Sequence, residues 1–288
     1  MTDDMHVLGL SGGKDSAALA LYMKDHYPNL DIQYFFTDTG HELEEVYSFL
    51  SRLSGLLNKE VLFLEEDKYK KHGNASKTPF EWWLGINHFF LPSPQQRWCT
   101  VKLKLDPFRR WIEPYLKSGK TVYQYVAIRS DEDHREGLQI GDPRLVTRLP
   151  FREDAVDKSG VLEILNNAGI GLPKYYEWRS RSGCSFCFFQ QKIEWVGLLE
   201  RYPEKFEEAA SYEKLAAEHD SPFTWTQGES LQELAKPERI AQIKADYQAR
   251  KNRALVCKAI NPLHEGFDDI DEIYDEEEGG GACLACHK

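Results

Sequence analysis

No apolar stretch in the 288 residues approaches the ~20 that a helical membrane span needs, which excludes a helical membrane protein. The acidic opening Met-Thr-Asp-Asp-Met has neither the basic nor the apolar part of a secretory signal, so a cytoplasmic protein is expected. An excess of positive charge is missing as well. Lys and Arg number 36 against 47 Asp and Glu, and the formal net charge of −11 argues against a chain that coats nucleic acid non-specifically. The two commonest phosphate loops, Gly-x-Gly-x-x-Gly and Gly-x-x-x-x-Gly-Lys-Ser/Thr, are also absent. Disulfides are not expected in that compartment, so the six cysteines read as metal ligands or reactive thiols.

What is present begins at His6. A short apolar run, the pattern of a strand buried on both faces, turns through Ser11-Gly12-Gly13-Lys14-Asp15-Ser16 and continues as an apolar helix. Adjacent glycines let the backbone turn tightly and aim its N–H groups at a ligand. The helix start adds its positive dipole end, and Ser11, Ser16 and Lys14 add donors. The product is an anion cradle at the carboxyl end of a strand. A plain glycine turn in a βα unit is the competing account, and the six-residue pattern in this strand–helix context outweighs it.

Those six residues resemble the Ser-Gly-Gly-x-Asp-Ser signature of the PP-loop ATP pyrophosphatases, the adenine nucleotide α-hydrolases, whose loop the 3′-phosphoadenylylsulfate (PAPS) reductases share. The resemblance implies ATP and Mg²⁺. Gly12, Gly13 and the helix end would hold pyrophosphate, Asp15 the Mg²⁺, and Ser11 and Ser16 the phosphate oxygens, with Lys14 and Arg129 supplying charge.

Further strands are expected at Asp31–Phe36, Glu60–Glu65, Thr121–Ile128 and Leu145–Phe151, with helices at Glu42–Ser54, after Pro107, and at Val161–Asn167. Strands alternating with helices predict an α/β fold, a doubly wound, mostly parallel sheet of the PP-loop/HUP type. A helical C-terminal region follows, with segments Gln191–Arg201, Pro203–His219 and Ser230–Asn252. The expected domains are 1–177, the nucleotide-binding part; 178–260, a helical Cys-x-x-Cys region; and 261–288, an acidic, glycine-rich tail. Trp82, Trp83, Phe89 and Phe90 read as packing rather than a stacking platform.

Asp38-Thr39-Gly40 ends the second strand, where a nucleotide's base and ribose would lie; a similar Asp-Thr-Gly occurs in PAPS reductase-like proteins. The competing account is a plain turn with Asp38 capping the next helix. Arg97-Trp98-Cys99-Thr100 resembles the Arg-x-Cys-Thr segment of the same group, and its electropositive flanks suit a thiolate. Arg129-Ser-Asp-Glu-Asp-His-Arg135 is similar to the family's Gly-x-Arg-x-x-Glu-x-x-Arg, with Ala127 at the usual glycine. A surface ion-pair network is the alternative there. Charge is uneven: residues 97–152 hold twelve Lys/Arg against seven Asp/Glu, whereas 265–278 hold nine carboxylates and no cation.

Two Cys-x-x-Cys pairs, Cys184/Cys187 and Cys283/Cys286, leave three readings open. One is a [4Fe–4S] cluster on Cys99, Cys184 and Cys187, its fourth ligand Cys257, Cys283 or Cys286, as the resemblance to the sulfur-transfer proteins of DNA phosphorothioation implies. Another is a Zn²⁺ site on Cys184, Cys187, Cys283 and Cys286. The third is a mobile thiol relay in the tail. The resemblance implies an ATP pyrophosphatase that adenylylates a substrate for sulfur transfer, with the DNA backbone as substrate, a cysteine desulfurase as sulfur donor and other DNA-modification subunits as partners. Alternatives are a PAPS or adenylylsulfate reductase and a nucleotide-sensing subunit without turnover.

Overall fold

The structure, a computed structural model, describes residues 4–66, 78–132, 135, 141–221 and 223–260, with backbone alone over 254–260. The acidic segment, its glycines, Cys283 and Cys286 lie outside the described residues, as does the side chain of Cys257. The chain divides into two compact units. Residues up to Phe80 join Trp98–Lys174 in the first; Glu81–Arg97 and the described residues from Tyr175 form the second. No helix among the described residues is long and apolar enough to cross a membrane.

The first unit is a five-stranded, wholly parallel sheet in the order β3-β2-β1-β4-β5. Its strands are β1 (Met5–Gly9), β2 (Ile32–Asp38), β3 (Val61–Glu65), β4 (Val122–Tyr125) and β5 (Leu145–Arg148). The central strand β1 has Val7 and Leu8 fully buried, as a strand covered on both faces must. Helices α1 (Lys14–His26) and α2 (Glu44–Leu57) follow β1 and β2. Next come α3 (Pro79–Ile86) and a continuous helical stretch: α4 (Trp98–Thr100), a π-helical turn (Val101–Leu105) and α5 (Asp106–Lys117). Pro107 stands at the start of α5, directly after the π-helical turn, so its missing N–H falls where the helical hydrogen-bond pattern changes. Phe108 and Ile112 of α5 pack on Met5, Val7, Phe35, Val122 and Leu145, the core of one sheet face.

The fifth strand is shorter than expected. Pro150 has no N–H for a ladder and instead opens a short helix, α6 (Pro150–Glu153). With β5 ended at Arg148, the last bond across is Val126 N–H to the Arg148 carbonyl, and Ala127 to Arg129 leave the sheet as buried irregular chain. Helix α7 (Lys158–Asn167) starts on Asp157, whose Oδ1 accepts the Gly160 N–H at 2.9 Å, and packs on α1.

In the second unit, α8 (Lys192–Arg201) and α9 (Pro203–Glu218) are followed by α10 (Leu231–Leu234) and α11 (Pro237–Ile260). The single helix expected over Ser230–Asn252 is thus two, because Pro237 starts a new one. Ser230 and Glu233 form a capping box on α10. Phe186, Tyr212, Trp195 and Trp225 make a buried aromatic centre. The half-buried Phe89 and Phe90 pack on His219 and Phe223, with ring centroids 3.7 and 4.4 Å apart.

Candidate functional site

The loop after β1 is built by its own side chains. Ser11 N–H donates to Ser16 Oγ at 3.1 Å, the two hydroxyls lie 3.1 Å apart, and Gly13 N–H donates to Ser11 Oγ at 3.3 Å. Gly12 has φ +74°, and a Cβ there would come within 2.5 Å of Val46 Cγ1, so both the turn and the close approach of α2 require glycine. Gly13 is the N-cap of α1. Lys14, Asp15 and Ser16 in its first turn are all buried. Ser11 to Ser16 therefore converge on one helix end, with backbone N–H groups, hydroxyls, an ammonium and a carboxylate in one turn.

Strand order places this loop at a topological switch point. From β1 the sheet grows through β2 to β3 on one side and through β4 to β5 on the other, so the loops after β1 and β4 diverge and leave a crevice. Arg129, four residues past β4, reaches back across it, its Nη1 donating to Asp15 Oδ1 at 3.0 Å. Its Nε and Nη2 donate to Asp131 at 2.8 and 3.0 Å in a bidentate fork. Arg129 is 7% exposed, so this is no surface network. Burial opposes its charge, but the Asp131 hydrogen bonds and the charges of Asp15 and Glu132 outweigh that and raise its pKa. The same fork overcomes the effect of burial on Asp131 and lowers that carboxyl.

The sequence motif reached Glu132 and Arg135 but gave them no role in holding this loop. Glu132 accepts the Arg129 backbone N–H at 3.1 Å and Arg135 Nη1 at 2.8 Å. Arg152 Nη2, from α6, donates to the carbonyls of Glu132 and Arg135, each at 2.7 Å. The arginine spacing signalled Arg135 but nothing local signalled Arg152, whose role comes from α6 packing beside the loop.

Asp38, at the end of β2, accepts the Gly40 N–H at 2.8 Å and the Tyr47 hydroxyl at 2.9 Å. Gly40 sits at φ +75° and Thr39 Oγ1 donates to Glu42 at 3.1 Å. Asp38 thus closes its own turn and is not the helix cap, which is Leu43.

Cys99 is half-buried in α4 of the first unit, and Cys184 and Cys187 are half-buried in the second; none is in a disulfide. Cys187 N–H donates to the Cys184 carbonyl at 3.1 Å, closing a turn that carries both sulfurs. Arg179, 1% exposed, fixes that turn through the Gly183 and Cys184 carbonyls at 3.0 and 2.6 Å. Of the residues flanking Cys99, Arg97 lies over the Phe189 ring and Lys102 is paired with Asp106. Among the described residues no three His, Cys, Asp or Glu form a group suited to a metal ion.

The chain has recognisable relatives. Residues 5–139 match the phosphoadenosine phosphosulfate reductase domain family. An uncharacterized 37.8 kDa protein of Escherichia phage 186 is 25% identical over 264 residues, covering 74% of this chain and 75% of the relative. An uncharacterized protein of Methanocaldococcus jannaschii is 25% identical over 206 residues, 68% of this chain but 44% of the relative. Similar solved structures include the PAPS reductase of Candida auris in a phosphate complex, at 12% identity and TM-score 0.44, covering 64% of this chain and 82% of that one. The U34-tRNA thiolase NcsA of Methanococcus maripaludis, with its [4Fe–4S] cluster, matches at 13% identity and TM-score 0.37, covering 75% and 72%. Over residues 5–139, a little under half of its length, the chain is thus similar to the phosphoadenosine phosphosulfate reductase domain family.

Proposed function

We propose that this protein is an ATP pyrophosphatase that activates a substrate for sulfur transfer. The observation that carries the reading is the Asp15–Arg129 pair across the switch-point crevice, directly at the Ser11–Ser16 loop. A carboxylate suits Mg²⁺ and a guanidinium fork suits phosphate, so ATP arriving with Mg²⁺ gives each member a new partner. A substrate oxygen attacks the α-phosphorus, the bond from that phosphorus to the bridging oxygen breaks, and pyrophosphate departs against the glycine loop and the α1 dipole. Charge developing on pyrophosphate is what those fixed donors stabilise. Sulfur then displaces AMP. The preferred substrate is the DNA backbone, with a cysteine desulfurase as sulfur source and other DNA-modification subunits as partners.

Cys184 and Cys187 fit two ligand positions of an iron–sulfur cluster or a zinc ion, since a single pinned turn carries both thiols. The remaining ligands would be Cys99 with one of Cys257, Cys283 or Cys286 for a cluster, or Cys283 and Cys286 for zinc. Iron, zinc and sulfide analysis of anaerobically prepared protein distinguishes these sets.

The test of the main reading is product analysis with Mg²⁺ and ATP: pyrophosphate and AMP are expected, and ADP with phosphate would overturn it. The family match favours one other reading, reduction of a sulfonucleotide, which would release sulfite from PAPS. Binding of ATP with no turnover of either nucleotide would leave a sensing subunit.

A further inference from the structure

We propose that Arg152 is a positioning residue for the phosphate-binding arginine, holding the loop after β4 so that Arg129 is preset for an incoming phosphate. This rests on the reading that Arg129 receives phosphate. The loop needs such a support because the sheet gives it none: β5 ends at Arg148, two residues before Pro150, and the last ladder-type bond is Val126 N–H to the Arg148 carbonyl at 3.0 Å.

Beyond that point the backbone is fixed from two sides. From within, Glu132 takes the Arg129 N–H and the Arg135 guanidinium. From outside, the segment after β5 takes over. Ser130 N–H donates to the Val156 carbonyl at 3.0 Å, and Arg152 Nη2 bridges the carbonyls of residues 132 and 135. One guanidinium nitrogen on the carbonyls of residues 132 and 135 ties both positions to α6. It also leaves Arg152 without a carboxylate partner among the described residues, in contrast to Arg129, Arg135, Arg144 and Arg148. Its charge is spent on backbone dipoles, which marks it as architecture for the loop rather than a phosphate ligand. Pro150 supplies the third element, since the short helix it opens is what carries Arg152 to the loop.

The experiment compares R152M, which removes the donors, with R152K, which keeps an ammonium able to serve two carbonyls. R148M removes an exposed charge from the same segment as a control. Two readouts are taken on the full chain: ATP affinity, and amide exchange over residues 129–135. R152M is expected to weaken ATP binding roughly tenfold and speed loop exchange, with R152K restoring most of both. R148M should move neither. Unchanged affinity and exchange in R152M would overturn the proposal, as would an equal loss in R148M, which would indicate a diffuse field. Should R152M not fold, R152Q is read by the same criteria. Should the wild type bind no ATP, the nucleotide reading fails, and loop exchange alone decides the role of Arg152.

Discussion

Buried carboxylates do different work in the two units. In the first, Asp15 and Glu132 meet guanidinium groups, those of Arg129 and Arg135. In the second, Glu194 and Glu213 meet backbone N–H groups instead. Glu194 accepts those of Ser180 and Gln191 at 2.6 and 2.9 Å; Glu213 accepts those of Trp225 and Leu231 at 2.8 and 2.7 Å. A carboxylate bound to a side-chain cation can trade that cation for Mg²⁺, and the cation can trade it for phosphate. A carboxylate bound to backbone amides has nothing to trade without unfolding its own loop. The first arrangement, at Asp15, suits the proposed site, and the second is a set of fasteners.

The largest expected effect tests the first half of that contrast. Asp15→Ala should lower pyrophosphate release by about 10²–10³-fold, the scale on which a preorganised charge contact acts. Stability should fall by less than the ~3–5 kcal/mol of an uncompensated buried charge, because Arg129 keeps Asp131 and Glu132. Steady-state release and urea unfolding of the same preparation check both. Unchanged turnover with a large loss of stability would make Asp15 a fastener too.

Much of this was legible in the chain before any coordinates. Ser11 to Ser16 declared itself because a β1–glycine–α1 turn is local: its residue types, spacing and flanking apolar runs all lie within about four turns of chain. The parallel sheet was legible for the same reason, from strands alternating with helices. What stayed hidden was non-local. Pro150 was absorbed into an expected fifth strand, although its ring forbids the ladder bond that the strand would need. Arg152 became visible only once α6 was seen beside a loop some twenty residues earlier. Glu194 and Glu213 carry no local signal in the sequence, and only tertiary packing shows their oxygens turned onto backbone amides. At Asp38 only the competing account, a cap on the next helix, is replaced, because an aspartate before glycine can serve either its own turn or the next helix.

An intermediate effect tests the fasteners. Glu194→Ala leaves the Ser180 and Gln191 N–H groups buried without an acceptor, at about 1–3 kcal/mol each. Unfolding of the second unit should ease by about 2–5 kcal/mol, and Glu194→Gln, with one acceptor oxygen left, should fall between. ATP affinity, which the proposed function assigns to the first unit, should stay within twofold of wild type. A drop in affinity matching that of Asp15→Ala would mean that the distinction between site and fastener fails.

The smallest effect separates the two kinds of carboxylate by the sign of their pH dependence. Burial would raise the Asp131 carboxyl, but its fork to Arg129 overcomes this and holds it low, so the native state binds fewer protons there than the unfolded chain. Its contribution is present above the unfolded value of about 4 and is lost as pH falls through the lower folded one. For Glu213 burial dominates, and the Leu231 and Trp225 N–H groups only partly offset it, so its folded pKa is raised. The native state then binds more protons than the unfolded chain, and that contribution is complete below about pH 4 and lost as pH rises through the folded value. Urea midpoints from pH 3 to 7 for the wild type, Asp131→Asn and Glu213→Gln isolate each component by difference. The midpoint gap between wild type and Asp131→Asn should widen with rising pH over the acid end of that range. For Glu213→Gln the variant should instead gain on the wild type as pH rises above 4. Two gaps of the same sign would mean that Glu213 is stabilised in its charged form, as Asp131 is, and that amide-bound and guanidinium-bound carboxylates in this protein differ only in partner and not in electrostatics.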